Sequence, residues 1–255
     1  MGRRLVRAAA SAGGIGLALL LQGLTSAPVF AAHTDFLHPG GPPDRRIVML
    51  FNVFLVCAIV ILIGVTIVVL TACIRFRRRR ADEMPKQVHG SNRLEVAWTL
   101  GPVILLAALF GLTAAQVGYL RYGPARNTAA GRQGVTVEVI GRQFYWTFVY
   151  PDHHQSLRTI YVPAGEPVYL VTESLDVIHG FWVPQAGAKI DALPGIINRA
   201  FVEVSRPGTY SGQCYELCGV GHADMLITMK ALAPAQYRRT IAGLPPASGV
   251  PNLLR

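Results

Sequence analysis

Cys214-Tyr215-Glu216-Leu217-Cys218-Gly219-Val220-Gly221-His222-Ala223-Asp224-Met225 gathers two thiols, an imidazole and a thioether into twelve residues. Soft ligands of this kind select copper, above all copper that cycles through Cu(I). A blue-copper site uses one Cys, two His and a weak axial Met. Here a second Cys follows the first with three residues between them. Two thiolates on one loop can each bridge two metal ions. A dinuclear site also needs a second terminal imidazole, and His179 stands 35 residues before Cys214, in Asp176-Val177-Ile178-His179-Gly180-Phe181-Trp182. In a sandwich that separation brings an earlier strand end beside a later loop. Two other readings of the same residues stand beside this one. A Cys214–Cys218 disulfide is open to a chain in an oxidising compartment, and zinc accepts Cys and His, although structural zinc sites do not use Met. Taken singly, Met225 reads as a core residue and His179 as a surface histidine.

The stretch closes a β-rich region. Val135, Val137 and Val139 alternate with Thr136, Glu138 and Ile140. Further β-like runs are Phe144–Tyr150, Leu157–Val162, Val168–Glu173, Phe181–Val183, Ala200–Val204, Thr209–Cys214 and Leu226–Leu232. Pro163-Ala164-Gly165, Pro194-Gly195 and Pro207-Gly208 punctuate them. Short strands at this spacing predict an all-β sandwich or barrel over residues 134–232. Residues 233–255 form a Pro/Ala-rich tail without a strong signal, and 121–133 a Gly/Pro/Arg/Asn linker.

Upstream the character changes. Residues 46–74 and 96–120 are two apolar runs, each longer than the ~20 residues that cross a bilayer core. Both predict transmembrane helices. The segment between them, 75–95, carries Arg75, Arg77, Arg78, Arg79, Arg80, Lys86 and Arg93 against Asp82, Glu83 and Glu95. That bias places it in the cytoplasm and everything after the second helix outside. Residues 1–31 have the form of a signal peptide: Arg3, Arg4 and Arg7, then the apolar stretch Ile15–Leu24, then Val29 and Ala31 before a cleavage point.

Composition excludes whole classes. With 51% hydrophobic and 15% charged residues among 255, the chain is not disordered. Four cysteines are too few for a disulfide scaffold. The net charge of +10 lies entirely before Gly134, because residues 134–255 hold nine basic and nine acidic side chains. A neutral folded domain gives nucleic acid no footprint.

Along roughly 185 residues the chain resembles subunit II of haem–copper cytochrome c oxidases. The C-x-E-x-C-G-x-x-H-x-x-M segment carries the resemblance. It is joined by Asp176-Val177-x-His179, by Lys189, Asp191, Pro194 and Gly195, and by Glu95, Trp98 and Thr99 at the second helix. The resemblance implies a membrane-anchored α+β chain, a two-helix transmembrane hairpin followed by an all-β, cupredoxin-like Greek-key sandwich. It implies a dinuclear copper A centre bridged by Cys214 and Cys218. His179 and His222 would be terminal ligands, Met225 a weak axial ligand and the Glu216 carbonyl its counterpart. The Glu216 carboxylate would reach a Mg²⁺ or Mn²⁺ at the interface with subunit I, as suits a hard oxygen ligand. Glu95 would stand at the mouth of a proton-uptake path. An ordinary acid at a helix N-terminus is the other reading of that residue.

Two positions depart from the family pattern. Phe144 stands where an electron-accepting Trp is usual, and Ile196 where Arg follows Pro-Gly. The implied partners are subunits I and III, a cytochrome c donor and the lipid bilayer. The implied location is the cell membrane, multi-pass, with the C-terminal domain on the outer side. Glu173, Asp176 and Asp224, with Lys189 as the nearest cation, predict a modestly acidic patch around the copper. A copper-free quinol oxidase subunit, a nitric oxide reductase subunit and a copper carrier are the rival functions. The full ligand set argues against the first, and the second helix with Glu95 against the last.

Overall fold

The computed structural model describes residues 37–77, 87, 90–124, 134–251 and 253. The expected signal peptide, the Arg78–Arg80 run with Lys86, and linker residues 125–133 lie outside them.

Helix α1 runs Pro42–Arg75 and helix α2 Asn92–Tyr122. Prolines at the start of α1 suit a first turn whose N–H groups have no helical partner. Both helices are long and apolar enough to cross a membrane. At 1.5 Å per residue α1 spans roughly 50 Å, against ~30 Å of hydrocarbon. Leu62, Val68, Leu106 and Phe110 are exposed, and the helices are apolar on all sides rather than along one stripe.

Both helices meet the β domain. The Gly40 N–H donates to the Gln185 carbonyl at 3.0 Å, and the Ser205 N–H to the Gly40 carbonyl at 2.8 Å. A Cβ on Gly41 would lie 1.9 Å from the Glu203 carbonyl oxygen, so only glycine lets the chain pass there. At the end of α2, the Tyr119 ring meets Phe201 edge-on at 5.4 Å. The Arg46 guanidinium covers Tyr119 at 3.8 Å and donates to Gln116 Oε1 at 2.7 Å, tying α1 to α2.

The β domain is a sandwich of two five-stranded sheets. Its strands are β1 (Val135–Arg142), β2 (Tyr145–Val149), β3 (Gln155–Leu157), β4 (Thr159–Pro163), β5 (Val168–Ser174), β6 (His179–Val183), β7 (Ala188–Ala192), β8 (Asn198–Val202), β9 (Gly208–Cys214) and β10 (Leu226–Leu232). One sheet has the order β3-β2-β1-β5-β8, the other β4-β10-β9-β6-β7. β1 runs parallel to β5 and β4 parallel to β10, and the remaining pairs are antiparallel. Alternate residues point inward and build one core that includes Val137, Val139, Trp146, Phe148, Phe181 and Met229.

Three features depart from the sequence expectations. The single run expected at Leu157–Val162 is broken at Arg158, whose φ of 59° ends β3; the chain crosses there to the other sheet as β4. β7 was not expected, because Ala-Lys-Ile-Asp-Ala is short and half polar. The tail is structured: helix α3 (Pro234–Ala242) buries Tyr237 and Ile241, one turn apart. Beyond it the Gln155 N–H donates to the Pro245 carbonyl at 2.9 Å, and Arg142 Nη2 to the Gly249 carbonyl at 2.7 Å. Leu253 is buried beside Ile140, Val149 and Val171, so the tail covers the outer face of the first sheet.

Candidate metal centre

β6 and β9 are adjacent, with Phe181 opposite Cys214. This register sets His179, the first residue of β6, beside the loop that leaves β9. The Cys214 N–H donates to the Met225 carbonyl at 3.0 Å and closes the base of that loop. His222 opens a single 3-10 turn within it, its N–H donating to the Gly219 carbonyl at 3.1 Å.

The side chains converge. The ligand atoms of His179, Cys214 and Cys218 all lie within 4.8 Å of one another, and all three residues are buried. Cys218 Sγ is 3.7 Å from His222 Nδ1 and 3.7 Å from Met225 Sδ. Cys214 Sγ is 3.3 Å from the Glu216 carbonyl oxygen. All six residues expected to hold metal therefore come together, Glu216 through its backbone; its carboxylate is exposed. Both thiols are free in the structure.

Two observations test the fit to a metal. His179 Nδ1 is buried without a hydrogen-bond partner, an expensive state that a cation would relieve. The ring's other nitrogen, Nε2, lies 2.8 Å from Asp176 Oδ1, the carboxylate–imidazole arrangement that fixes a ligating ring. The donor set of two sulfurs, two imidazoles and a thioether fits copper and leaves zinc without a use for Met225.

The electrostatics agree. Burial pushes the Cys214 thiol up, but the nearby His179 ring and the Gly180 N–H outweigh it and bring the thiol down to about 7. Burial, and then the charge on Cys214, push Cys218 up to about 11. The Cys214 thiolate therefore forms more readily than that of Cys218. Burial alone would lower the His179 pKa; contacts with Cys214 and Asp176 raise it instead. Burial would raise Asp176, and the Gln143 N–H, His179 and the Val177 N–H lower it.

Residues the sequence did not flag complete the cage. Gln143 donates its backbone N–H to Asp176 Oδ2 at 2.7 Å and its Nε2 to the Cys218 carbonyl at 2.6 Å, lacing three loops together. A Cβ on Gly141 would lie 2.9 Å from His179 Cδ2, so the ring needs a glycine beneath it. Trp146 meets the same ring edge-on at 5.9 Å. The Tyr215 N–H donates to the Gly180 carbonyl at 3.0 Å, and its hydroxyl bonds Asp191 Oδ1. Asp176 stands in the Asp176-Val177-x-His179 motif, where the sequence shows only a charge near the copper; its bond to His179 is seen only in the structure.

The rim mixes apolar and acidic side chains: Leu217 is 83% exposed, Val220 fully exposed and Ile178 exposed, and Glu216 and Asp224 of the ligand loop are exposed too. Asp176 also bonds His179 and the Gln143 N–H. Phe144 is half-buried, its ring against Gly219 and Gly221. Glu95 lies in the first turn of α2, roughly 40 Å along that helix from the sandwich.

Two family models match the chain in order: the transmembrane domain of cytochrome c oxidase subunit II over residues 33–113, and its periplasmic domain over residues 154–232. The chain belongs to the cytochrome c oxidase subunit II family. Cytochrome c oxidase subunit 2 of Alkalihalophilus pseudofirmus is 34% identical over 212 residues, which cover 82% of this chain and 61% of that protein. The subunit 2 of Cereibacter sphaeroides is 28% identical over 243 residues, covering 80% of this chain and 78% of that one. The chain thus spans about three fifths of the Alkalihalophilus subunit II. The solved periplasmic domain of subunit II from Bradyrhizobium japonicum is 28% identical, covers 43% of this chain and 92% of its own, and superposes with a TM-score of 0.42. As a subunit II chain, this protein is a component of an oxidoreductase complex.

Proposed function

We propose that the chain accepts electrons from a cytochrome c at a dinuclear copper A centre. It relays them to haem in subunit I, where O₂ is reduced to water with proton pumping. The observation that supports this best is the buried His179–Cys214–Cys218 cluster, with His222 and Met225 at hand and His179 Nδ1 unpartnered. Bound copper supplies one-electron transfer. Cys214, Cys218, His179, His222, Met225 and the Glu216 carbonyl would hold it. The chain's own contribution is a cage fixed before metal arrives. Asp176 orients the His179 ring, the Gly180 N–H supports the Cys214 sulfur at 3.5 Å, and the core around Met225 excludes water. Ligands held by strands move little when the charge changes, which keeps reorganisation small.

Three finer roles belong to the same proposal. The exposed Glu216 carboxylate holds Mg²⁺ or Mn²⁺ at the interface with subunit I. Phe144, against the metal loop, accepts the electron from the donor. Glu95 marks the entrance of a proton path at the opposite end of α2. The chain sits in the cell membrane with 75–95 in the cytoplasm and the sandwich outside, after loss of residues 1–31. Subunits I and III are its partners.

The test is copper loading of the full chain in detergent. Two coppers per chain and a seven-line mixed-valence EPR spectrum are expected. Cys214→Ser and Cys218→Ser should each abolish the spectrum, while Met225→Leu keeps it, since an axial thioether mainly tunes potential. A Cys214–Cys218 disulfide in copper-replete protein, or a single-copper spectrum, would overturn the proposal.

A further inference from the structure

The C-terminal tail reaches the metal centre through one side chain. Ile140 and Arg142 stand two residues apart on β1, so both point to the outer face of the first sheet. Leu253 closes over Ile140 there, with Ala247 and Val250 beside it. Arg142 Nη2 donates to the Gly249 carbonyl at 2.7 Å, and Nη1 to the Tyr145 hydroxyl at 3.3 Å. Arg142 and Tyr145 are the last pair of the β1–β2 ladder. The tail therefore holds the outer side of the turn that joins these two strands.

The inner side of the same turn belongs to the metal centre. Gly141 lies beneath the His179 ring, and its carbonyl accepts the Leu175 N–H at 3.1 Å. The Gln143 N–H donates to Asp176, the carboxylate that orients His179, and Gln143 Nε2 donates to the Cys218 carbonyl. The Phe144 ring packs on Gly219 and Gly221 of the ligand loop. Four consecutive residues, 141–144, thus brace His179 and Cys218 at once. At its centre, Gln143-Phe144 contains no Gly, Asn, Asp or Pro, the residues that favour a two-residue hairpin turn by themselves. Its shape comes from what holds it, and the tail holds it from outside.

We infer that the C-terminal tail is a positioning element for the metal centre, with Arg142 as the latch that carries its grip to the 141–144 turn. Arg142 touches none of the donor atoms and acts through its neighbours Gly141 and Gln143. The latch is a feature of the metal-free chain, so only its consequence for copper rests on the function proposed above. Releasing it lets the ligands drift from the geometry that copper needs, and such a geometry tolerates only small errors.

The experiment compares the full chain in detergent with Arg142→Gln, Arg142→Lys and Ile241→Ala. In the metal-free chain, hydrogen exchange at the Gln143 and Leu175 amides reads the turn directly. Arg142→Gln should speed both about fivefold, the worth of one exposed hydrogen bond. Copper affinity in a competition titration should fall by about the same factor, short of the ~10–100-fold lost with a group that bonds a ligand itself. The reduction potential and the EPR hyperfine pattern should shift with it. Arg142→Lys keeps one donor for the Gly249 carbonyl and should restore most of each change. A chain ending at Leu244 should show the same changes, enlarged, and adding Arg142→Gln to it should change nothing further. Ile241 is buried on α3 against β4 and β10, away from the turn. Ile241→Ala should lower overall stability and leave turn exchange, potential and spectrum as in the wild type. Wild-type exchange and copper affinity in Arg142→Gln would overturn the inference. So would equal changes in Ile241→Ala, or a further loss when Arg142→Gln is added to the shortened chain. A wild-type chain that binds no copper would refute the proposed function instead, and exchange at Gln143 and Leu175 would still decide the latch.

Discussion

Gly141→Ala puts the cage around His179 to a sharp test. The new methyl would lie 2.9 Å from His179 Cδ2 and 3.3 Å from Trp146 Cζ3. Ordinary carbon contacts are about 3.5–4.0 Å, so the ring must retreat by roughly half an ångström or more. It has nowhere easy to go. Asp176 holds Nε2 at 2.8 Å, Trp146 flanks the ring, and Nδ1 faces the thiols. Overpacking of a tight core costs ~1–3 kcal/mol, and that is the expected loss of metal-free stability in urea unfolding. The loss with copper bound should be larger, because a functional constellation tolerates only ~0.5 Å of misplacement. The stabilisation conferred by copper, measured as the difference between loaded and metal-free unfolding, should therefore shrink, and the EPR hyperfine pattern should change. Gly165→Ala is the control: its methyl meets no atom within 4 Å, so it should cost only its left-handed backbone strain and leave the spectrum intact. A Gly141→Ala chain with wild-type copper affinity and spectrum would show that the ring is not confined as described.

Removing the Asp176 carboxylate as Asp176→Ala should lower copper affinity 10–100-fold, the usual cost of losing a ligand's orienting partner, in a competition titration; an unchanged affinity would leave the contact ornamental. Tyr150, hydrogen-bonded to Ser156 Oγ at 3.0 Å, has its phenol pushed by burial up to about 12. The folded state keeps that proton after the unfolded chain has lost it near pH 10, so stability is full below pH 10 and falls as pH rises toward 12. The shift is worth ~3 kcal/mol at its limit, and alkaline unfolding should begin in this window, later in Tyr150→Phe. Val220→Asp and Leu217→Asp should slow reduction by cytochrome c without altering the copper spectrum, because each replaces an exposed apolar side chain of the rim that would pack against the donor; unchanged rates in stopped-flow mixing would contradict this.

What the sequence disclosed followed its periodicities. Two apolar runs, free of charge over 47–74 and 96–120, could only be buried in lipid, and the alternation from Val135 onward could only be a strand. The ligand loop was legible because its chemistry is local, with five of the six donors lying within Cys214–Met225. The rest depended on distant pairings. Arg158 reads like any residue of a strand, and only its left-handed backbone reveals the change of sheet. β7 gains its strand character from β6, not from its own composition. Gln143 looks like an ordinary turn residue until the fold sets it between Asp176 and Cys218. Asp176 was visible as a surface charge, and it is one, but only the fold shows that the same carboxylate holds a ligand ring.

The sandwich meets its helices at two points. Gly40 is stitched between Gln185 and Ser205 ahead of α1, and Tyr119 of α2 rests on Phe201. A domain on one tether can swing like a flag. Two attachments, one at Gln185 and Ser205 and one at Phe201 of β8, restrain that motion and with it the height and tilt of Cys214 relative to the helices. Electron tunnelling fades exponentially with distance, and a wandering donor would spend most of its time out of range of any acceptor in the membrane. On the proposed function, the glycine that lets the chain slip past Glu203 would thereby contribute to the rate of a reaction at the other end of the domain.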